Sequence, residues 1–342
     1  MSGGAAGTNP FAGRRTRVLS TGDVRSLLSV TDTLDVQRQA FTALAKGTVT
    51  AAPNSWLRLP DQERRRGWIK VLASHESSSQ SLGVKVLARF ADNPPGANLG
   101  SLVMLFDDED GFPLAVMDGT VLTGLRTGAG AGLAAEVLST PDARAVGVVG
   151  TGAVARDSLT SVLAVRPSVE AVTVYSRSAD RRREFAAWAE ASLGVTVRPV
   201  DDVAAAVEGA EIVITATNAP EPVLMAEHVV AGQLVAAMGI RTELDPALTA
   251  ASWTIPDGVD EAVADGKISI AIAAGLMTAD DVGPELGAVL LDPPGHDRNR
   301  IVVFDSSGVG VQDVTMARVA WERAERDGIG QLIDFGLGET ML

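Results

Sequence analysis

A glycine-rich run at positions 150–155 has the residue types that suit phosphate binding. It reads Gly-Thr-Gly-Ala-Val-Ala and directly follows the apolar stretch at 145–149. In a strand–turn–helix unit, the first glycine allows a tight turn, the second lets the backbone approach a pyrophosphate, and the last small residue lets helix and strand pack closely. The helix N-terminus then offers N–H groups and a positive dipole end. We therefore predict a dinucleotide site with contacts at Gly150, Thr151, Gly152, Ala153 and Val154.

The end of the next predicted strand indicates which dinucleotide is preferred. NAD sites usually carry a carboxylate there for the ribose 2′-hydroxyl, whereas this strand runs into Ser176, Arg177 and Ser178, with Arg181 one turn later. Hydroxyls and a guanidinium suit a 2′-phosphate, which a carboxylate would repel. We therefore predict a preference for NADP(H), with NAD(H) as the alternative. A solvated basic helix start at 181–183 is the competing interpretation.

A third predicted strand also ends in polar residues. Thr215, Ala216 and Thr217 stand at its carboxyl end. Carboxyl ends of parallel strands line the ligand crevice in such sheets, so we expect these residues to contact the cofactor. An ordinary polar turn before Pro220 explains them equally well.

The elements that position these residues alternate between strand and helix. Helical segments lie between most of six predicted strands, at 145–149, 171–176, 211–216, 234–238, 253–255 and 301–304. This pattern predicts an α/β fold with a doubly wound parallel sheet of the Rossmann type, over residues 141–311.

The preceding part of the chain has a different period. We expect helices within 18–47, then a mostly antiparallel sheet across 48–120, with a hairpin at Asp110-Gly111. The small residues of a helix at 127–138 predict close packing against another element or a ligand. We predict that residues 1–17 form a disordered tail, and that 18–140 together with 312–342 form an α+β domain.

Composition excludes several classes of function. A net charge of −14 over 342 residues argues against nucleic-acid binding, and no apolar run approaches membrane-spanning length. The chain has no cysteine and the start of the sequence does not resemble a signal peptide, which together favour a cytoplasmic protein. The histidines have no metal-ligand spacing, so no metal site is predicted: His75, His228 and His296.

Several segments together resemble the ornithine cyclodeaminase/μ-crystallin family over nearly the whole chain. The most specific are Gly-Val-Lys at 83–85 and Arg-Thr-Gly-Ala at 126–129. The match continues through Leu-Phe-Asp at 105–107, the Gly150 turn, Glu-Leu-Asp-Pro at 243–246 and the stretch 305–313. The resemblance implies a homodimer in which the Rossmann domain is joined to a substrate-binding and dimerisation domain.

The resemblance also implies the site residues. Family positions that hold the substrate carboxylate match Arg58, Lys85 and Arg126, with Arg64 to Arg66 as neighbours that could replace Arg58. A guanidinium orients a carboxylate in bidentate fashion, and a nearby lysine can supply a proton to an imine, so Lys85 is the predicted catalytic residue. We assign further cofactor contacts to Thr127, Met238, Gly239, Ser307 and Gly308.

One departure from the family bears on the reaction. Cyclodeaminases carry an acidic residue in the loop after the fourth nucleotide-domain strand, where this shorter loop has Ile240. We therefore place NADP(H)-dependent reduction of a small α-imino acid, or reductive amination of an α-keto acid, ahead of cyclodeamination. A non-catalytic crystallin-like binding protein and an enzyme for a bulkier substrate are further alternatives. Glu243 and Asp245 are predicted to cap the following helix.

Overall fold

The structure is a computed structural model that describes residues 10–59, 67–90, 92–94, 99–295 and 297–337. From the N-terminus the elements are β1 (Thr16–Leu19), α1 (Thr21–Leu27), α2 (Val30–Ala45), β2 (Val49–Ala51), β3 (Ser55–Arg58), β4 (Gly67–Glu76), β5 (Ser81–Phe90), β6 (Leu99–Phe106), β7 (Pro113–Asp118) and α3 (Gly119–Leu138). They continue with β8 (Ala145–Val149), α4 (Ala153–Val165), β9 (Ala171–Tyr175), α5 (Ala179–Leu193), β10 (Val197–Pro199), α6 (Val203–Val207), β11 (Ile212–Thr215), β12 (Leu234–Ala237), α7 (Pro246–Ala251), β13 (Trp253–Pro256), α8 (Val259–Asp265), α9 (Lys267–Ala273), α10 (Leu286–Leu291), β14 (Val302–Asp305), α11 (Gly310–Asp327) and β15 (Gln331–Ile333).

The chain divides into two compact units. The first combines Met1–Leu28, Val49–Leu122 and Asp313–Leu342, and its sheet has the order β15-β1-β7-β6-β5-β4-β2, with β3 paired to β4. Strands β4 to β7 are antiparallel neighbours, as predicted. The expected turn at Asp110-Gly111 is confirmed, because Gly111 has a φ of +79° and the amide of Asp107 donates to the Phe112 carbonyl oxygen at 2.8 Å.

The second unit combines Ser29–Thr48 and Thr123–Gln312. Its sheet is parallel throughout, in the order β10-β9-β8-β11-β12-β14-β13. Strands β9 and β10 are added on one side of β8, and the later strands are added on its other side. The first five strands, β8 to β12, have the order of a doubly wound dinucleotide-binding fold, and β14 then lies between β12 and β13. The predicted Rossmann sheet is confirmed, and the carboxyl ends of β8, β11, β12 and β14 meet at one edge.

Regular secondary structure at the N-terminus begins before residue 18. Thr16 and Arg17, which were predicted to end a disordered tail, lie in β1. The Thr16 hydroxyl donates to the Pro113 carbonyl oxygen at 2.8 Å, and the Arg17 guanidinium pairs with Glu325 at 2.6 Å. These contacts give the segment tertiary partners that composition does not show.

Helix α2 and most of α3 belong to the second unit rather than to the predicted N-terminal domain. The reason is close packing. Gly287 of α10 lies so near the Phe41 carbonyl that a side chain at 287 would clash. Gly132 of α3 is similarly close to Leu34 and Ser161. The predicted boundaries at 140 and 312 therefore differ from the compact units by α2 and by the part of α3 from residue 123 onward.

Candidate functional site

The glycine-rich turn joins β8 to α4 and leaves open space above it. Gly150 has a φ of +119°, which disfavours any residue with a Cβ, and a Cβ there would also clash with the Ala216 carbonyl oxygen. At Gly152, by contrast, an added Cβ would meet nothing within 4 Å. Gly152 is the N-cap of α4 and has no side chain with which to cap it. The first N–H groups of α4 therefore face accessible space, which fits a pyrophosphate.

Helix α3 packs against α4 along a row of glycines. Gly124 and Gly128 both lie so close to Asp157 of α4 that a Cβ at either position would clash. The four-residue spacing continues to Gly132. Glycine at these positions lets the two helix backbones approach closely, and this approach brings Arg126 and Thr127 beside the glycine-rich turn. The small residues predicted to pack closely do so against a helix.

One cavity of the second unit gathers many of the predicted residues. Its volume is about 310 Å³. Its walls come from α3, the α4 start and the strand ends, and the predicted residues among them are Arg126, Thr127, Gly152, Ala153, Val154, Ala216, Thr217, Met238, Gly239, Ser307 and Gly308. Thr123, Asn218, Ile240 and Ser306 complete the lining.

The remaining predicted cofactor residues lie elsewhere in the second unit. Arg177 and Arg181 are exposed at and after the carboxyl end of β9. Ser178 is the N-cap of α5 and accepts a hydrogen bond from the Arg181 amide. Thr215 is fully buried and its hydroxyl donates to Glu243 at 2.9 Å, so this side chain supports the wall of the site instead of facing it.

Glu243 differs most from its predicted role. Asp245 does cap α7, through a hydrogen bond from the Ala247 amide at 2.9 Å. Glu243 instead lies buried beneath the cavity, where it accepts hydrogen bonds from the amides of Thr217 (2.9 Å) and Gly239 (2.6 Å). Its carboxylate thus ties the end of β11 to the end of β12, two segments that line the cavity.

A buried lysine, Lys267, also holds these strand ends together. Lys267 donates to the carbonyl oxygens of Ala237 (2.7 Å), Gly239 (2.8 Å) and Ser306 (3.1 Å). Its Nζ also lies 3.4 Å from Asp305 and 4.0 Å from Glu243. Burial raises the pKa of Glu243, and the positive charge of Lys267 opposes that rise. Sequence reasoning missed Lys267, whose only signal is a lysine in the apolar run 267–273.

Arg126 is oriented by residues that follow β14. Its Nη1 donates to the Gln312 side-chain oxygen at 3.0 Å, and the same oxygen accepts from the Val309 amide at 3.2 Å. Gly308 has a φ of +85°, and its Cα lies against the guanidinium. The Gly308 amide donates to Asp257 at 2.7 Å. Burial raises the pKa of the Asp257 carboxyl.

Lys85 lies in the first unit, on the buried face of its sheet. Sequence alternation did not decide this face; the structure places Lys85 opposite Leu72 and Val103. Its Nζ donates to Asp313 at 2.9 Å, and both side chains are buried. Arg58 is exposed on β3, with its guanidinium 4.5 Å from the centre of the Trp56 ring. The alternatives Arg64 to Arg66, like His296, lie outside the described residues.

A family model matches residues 14–328 of this chain, and its description is ornithine cyclodeaminase/mu-crystallin family. This chain belongs to that family. Among the described residues of this family member, no helix combines the length and apolar composition needed to cross a membrane.

Individual relatives agree with the family match. The iminosuccinate reductase of Paracoccus denitrificans is 33% identical over 76% of this chain and 82% of its own. The Δ1-pyrroline-2-carboxylate reductase of Thermococcus litoralis, solved with NADH and L-proline, is 27% identical with a TM-score of 0.88, covering 93% of this chain and 100% of its own. An archaeal alanine dehydrogenase dimer with bound NAD is 28% identical with a TM-score of 0.86, covering 94% and 99%. The predicted oxidoreductase class agrees with these relatives.

Proposed function

We propose that this chain reduces a small α-imino acid with a nicotinamide cofactor, either as a ketimine or imine reductase or by reductive amination of an α-keto acid. One observation carries the proposal: a buried arginine, Arg126, lines the same cavity as the glycine-rich turn. A guanidinium binds a carboxylate well, and the turn suits a dinucleotide. Two relatives are named as reductases of iminosuccinate and of Δ1-pyrroline-2-carboxylate, and both compounds are α-imino acids.

The residues present fit the cofactor at its pyrophosphate and at the inner end of the cavity. The free space over Gly152 and the uncapped start of α4 suit the phosphates. Thr127, Met238, Gly239, Ser307 and Gly308 would contact the nicotinamide half. When bound, the reduced nicotinamide supplies a hydride.

The chain's own residues then bind and protonate the substrate. Arg126 and Arg58 hold the carboxylate and so orient the α-carbon, because a fixed geometry lowers the entropic part of the barrier. Lys85 supplies or relays the proton that the imine nitrogen needs, since its ammonium is buried and held by Asp313.

The proposal includes a preference for NADP(H) over NAD(H). Ser176, Arg177 and Arg181 support it, because the strand end carries hydroxyl and guanidinium groups where a carboxylate would serve the ribose of NAD. The two guanidinium groups are exposed to solvent and accessible to a 2′-phosphate. The solved relatives above contain NADH or NAD, which makes the comparison of both cofactors a direct test.

We also propose a homodimer formed through the outer face of the first unit's sheet. On β4, β5 and β6, Val71, Val86 and Leu102 lie opposite one another on the face away from Lys85. Leu102 is 53% exposed. A row of apolar side chains on an exposed sheet face suits a self-complementary contact about a twofold axis.

The reaction is tested by following NADPH and NADH absorbance with cyclic imino acids, and with α-keto acids plus ammonia. We expect turnover with at least one α-imino acid and little conversion of ornithine to proline and ammonia. Ile240 lines the cavity where cyclodeaminases carry an acid, so a group that would shuttle protons to leaving ammonia is replaced by an apolar one. Ornithine cyclodeamination as fast as the best imine reduction would contradict the proposal.

A further inference from the structure

Lys70 of β4 is a second lysine on the sheet face that carries Lys85. Lys70 lies opposite Trp56 of β3, and Leu72, two residues further along β4, lies opposite Lys85 of β5. Alternate residues of a strand share a face, and so do residues directly opposite each other. Lys70 and Lys85 are therefore diagonal neighbours on one face, and the Cα atoms of such a pair are roughly 7–8 Å apart.

The position of Lys70 is fixed by its surroundings. Its side chain is 8% exposed, although lysine is rarely buried in a folded protein. The Nζ lies 4.9 Å from the centre of the Trp56 ring, and the Arg58 guanidinium lies 4.5 Å from the centre of the same ring. A cation this near an aromatic face is attracted to it and loses freedom to swing into solvent.

The same face thus presents four cationic side chains, Arg58, Lys70, Lys85 and Arg89, in a chain whose net charge is −14, and Lys70 is the one diagonally adjacent to Lys85. The carboxylate of Glu76 also lies on this face, four residues beyond Leu72 on β4. A substrate with one carboxylate and one imine nitrogen engages Arg58 and Lys85 in the proposed function, together with Arg126. Lys70 has no role in that reaction. An ammonium held one diagonal step from the proton donor suits a second anionic group on the same small molecule.

We propose that Lys70 binds a second carboxylate of the substrate, which makes the preferred substrate a short dicarboxylic α-imino or α-keto acid. One or two methylene groups between the α-carbon and the distal carboxylate span the step from Lys85 to Lys70. This inference rests on the proposed function for the place of the imine, and it assigns the side-chain selectivity of that same site.

Equilibrium binding tests the assignment without requiring turnover. The full-length protein, saturated with NADPH, is titrated calorimetrically with matched pairs of acids: succinate against butanoate, and glutarate against pentanoate. We expect each dicarboxylate to bind at least tenfold more tightly than its partner. Lys70→Met should remove this preference, and Lys70→Arg should retain most of it, because a charge-assisted hydrogen bond contributes roughly ten- to a hundredfold in affinity.

Lys46→Met is the matched control, since it removes the same charge from an exposed position. It should leave the preference unchanged. Equal binding of both acids by the unaltered protein would overturn the assignment, whatever the variants do, and so would a preference that survives in Lys70→Met. If Lys70→Met does not fold, Lys70→Gln replaces it.

Turnover separates this inference from the proposed function. With ammonia and NADPH, 2-oxoglutarate is compared with 2-oxopentanoate, and oxaloacetate with 2-oxobutanoate. Reduction without any preference for the dicarboxylates overturns the role of Lys70 and leaves the proposed function standing. Selective binding of dicarboxylates without reduction of any imino or keto acid supports the role of Lys70 and contradicts the proposed function.

Discussion

Lys85 and Asp313 form a buried ion pair, with Lys85 Nζ 2.9 Å from Asp313 Oδ1. Lys85 lies in β5 and Asp313 in α11, and the two residues are 228 positions apart in the chain. Burying a lysine is costly unless it is paired, and the pair fixes the ammonium in one place on the sheet face. A fixed ammonium is what a proton donor to an imine requires.

Lys85→Ala should lower kcat by roughly a hundredfold or more, the usual range for a lost general acid. Binding of NADPH should survive, because the cofactor residues belong to the other compact unit. Asp313→Asn is the companion variant; it should shift the pH profile of kcat while keeping the lysine. Steady-state kinetics and a fluorescence titration check both effects. An unchanged kcat in Lys85→Ala would remove its catalytic role.

Arg126→Ala should reduce kcat/KM more than it affects the affinity for NADPH, since it removes both binding and orientation of the carboxylate. A second variant tests the orientation by Gln312. Gln312→Glu adds a negative charge 3.0 Å from the guanidinium and should raise KM by competing with the substrate carboxylate. Gln312→Met, which only removes the acceptor, is the control. A KM that responds equally to both changes would argue against charge competition.

The cofactor preference should reverse on changing one residue. NADPH should bind the unaltered protein roughly ten- to a hundredfold more tightly than NADH, the range of a charge-assisted hydrogen bond. Arg177→Asp should favour NADH, because a carboxylate repels the 2′-phosphate and accepts from the ribose hydroxyl. Arg183→Asp, at an exposed residue of the following helix α5, is the control. Tighter binding of NADH by the unaltered protein would contradict this prediction.

Glu76 gives a pH dependence of stability. Burial acts to raise the pKa of this carboxyl, but hydrogen bonds from Ser79 and Ser78 outweigh it and lower the pKa to about 2. A carboxyl whose pKa is depressed by folding stabilises the folded state above its ordinary pKa, and that stabilisation is lost as the pH falls from about 4.5 towards 2. Urea unfolding, measured at several pH values across this window, should show that the free energy of unfolding falls more steeply in the unaltered protein than in Glu76→Gln. If the two free energies fall in parallel with pH, the role assigned to Glu76 is contradicted.

The proposed dimer predicts a specific surface variant. Leu102→Glu places charges at the centre of the outer sheet face and should shift the protein towards monomer in light scattering at micromolar concentration. Leu276→Glu, at a similarly exposed leucine of the second unit, should leave the mass unchanged. A monomeric unaltered protein would contradict the dimer.

Most of the fold was accessible from the sequence because its signals are local. The strands at 145–149 and 211–216 are apolar runs followed by glycine or polar turns, and the structure has them within a residue or two. The face of Lys85 was not accessible, because Val-Lys-Val-Leu lacks the alternation that marks a half-buried strand.

The buried pair of Glu243 and Lys267 beneath the cavity could not be predicted, for a different reason. Glu243 and Lys267 stand 24 positions apart and meet through backbone carbonyl groups at the strand ends, a contact that has no sequence pattern. Read locally, a Glu-Leu-Asp-Pro run indicates helix capping, which holds for Asp245 and not for Glu243. Tertiary hydrogen bonds decide between two such carboxylates, and only the folded chain shows them.

The central claim is that a hydride reaches the α-carbon of an imino acid bound by this chain. The most direct measurement uses NADPH carrying deuterium at the reactive carbon, with an α-keto acid and ammonia or a cyclic imino acid, and locates the label by mass spectrometry and NMR. We predict one deuterium at the α-carbon of the amino acid formed, from only one of the two stereospecifically labelled cofactors. A product without deuterium at the α-carbon, or no amino acid from any imino or keto acid of the panel, would contradict the account.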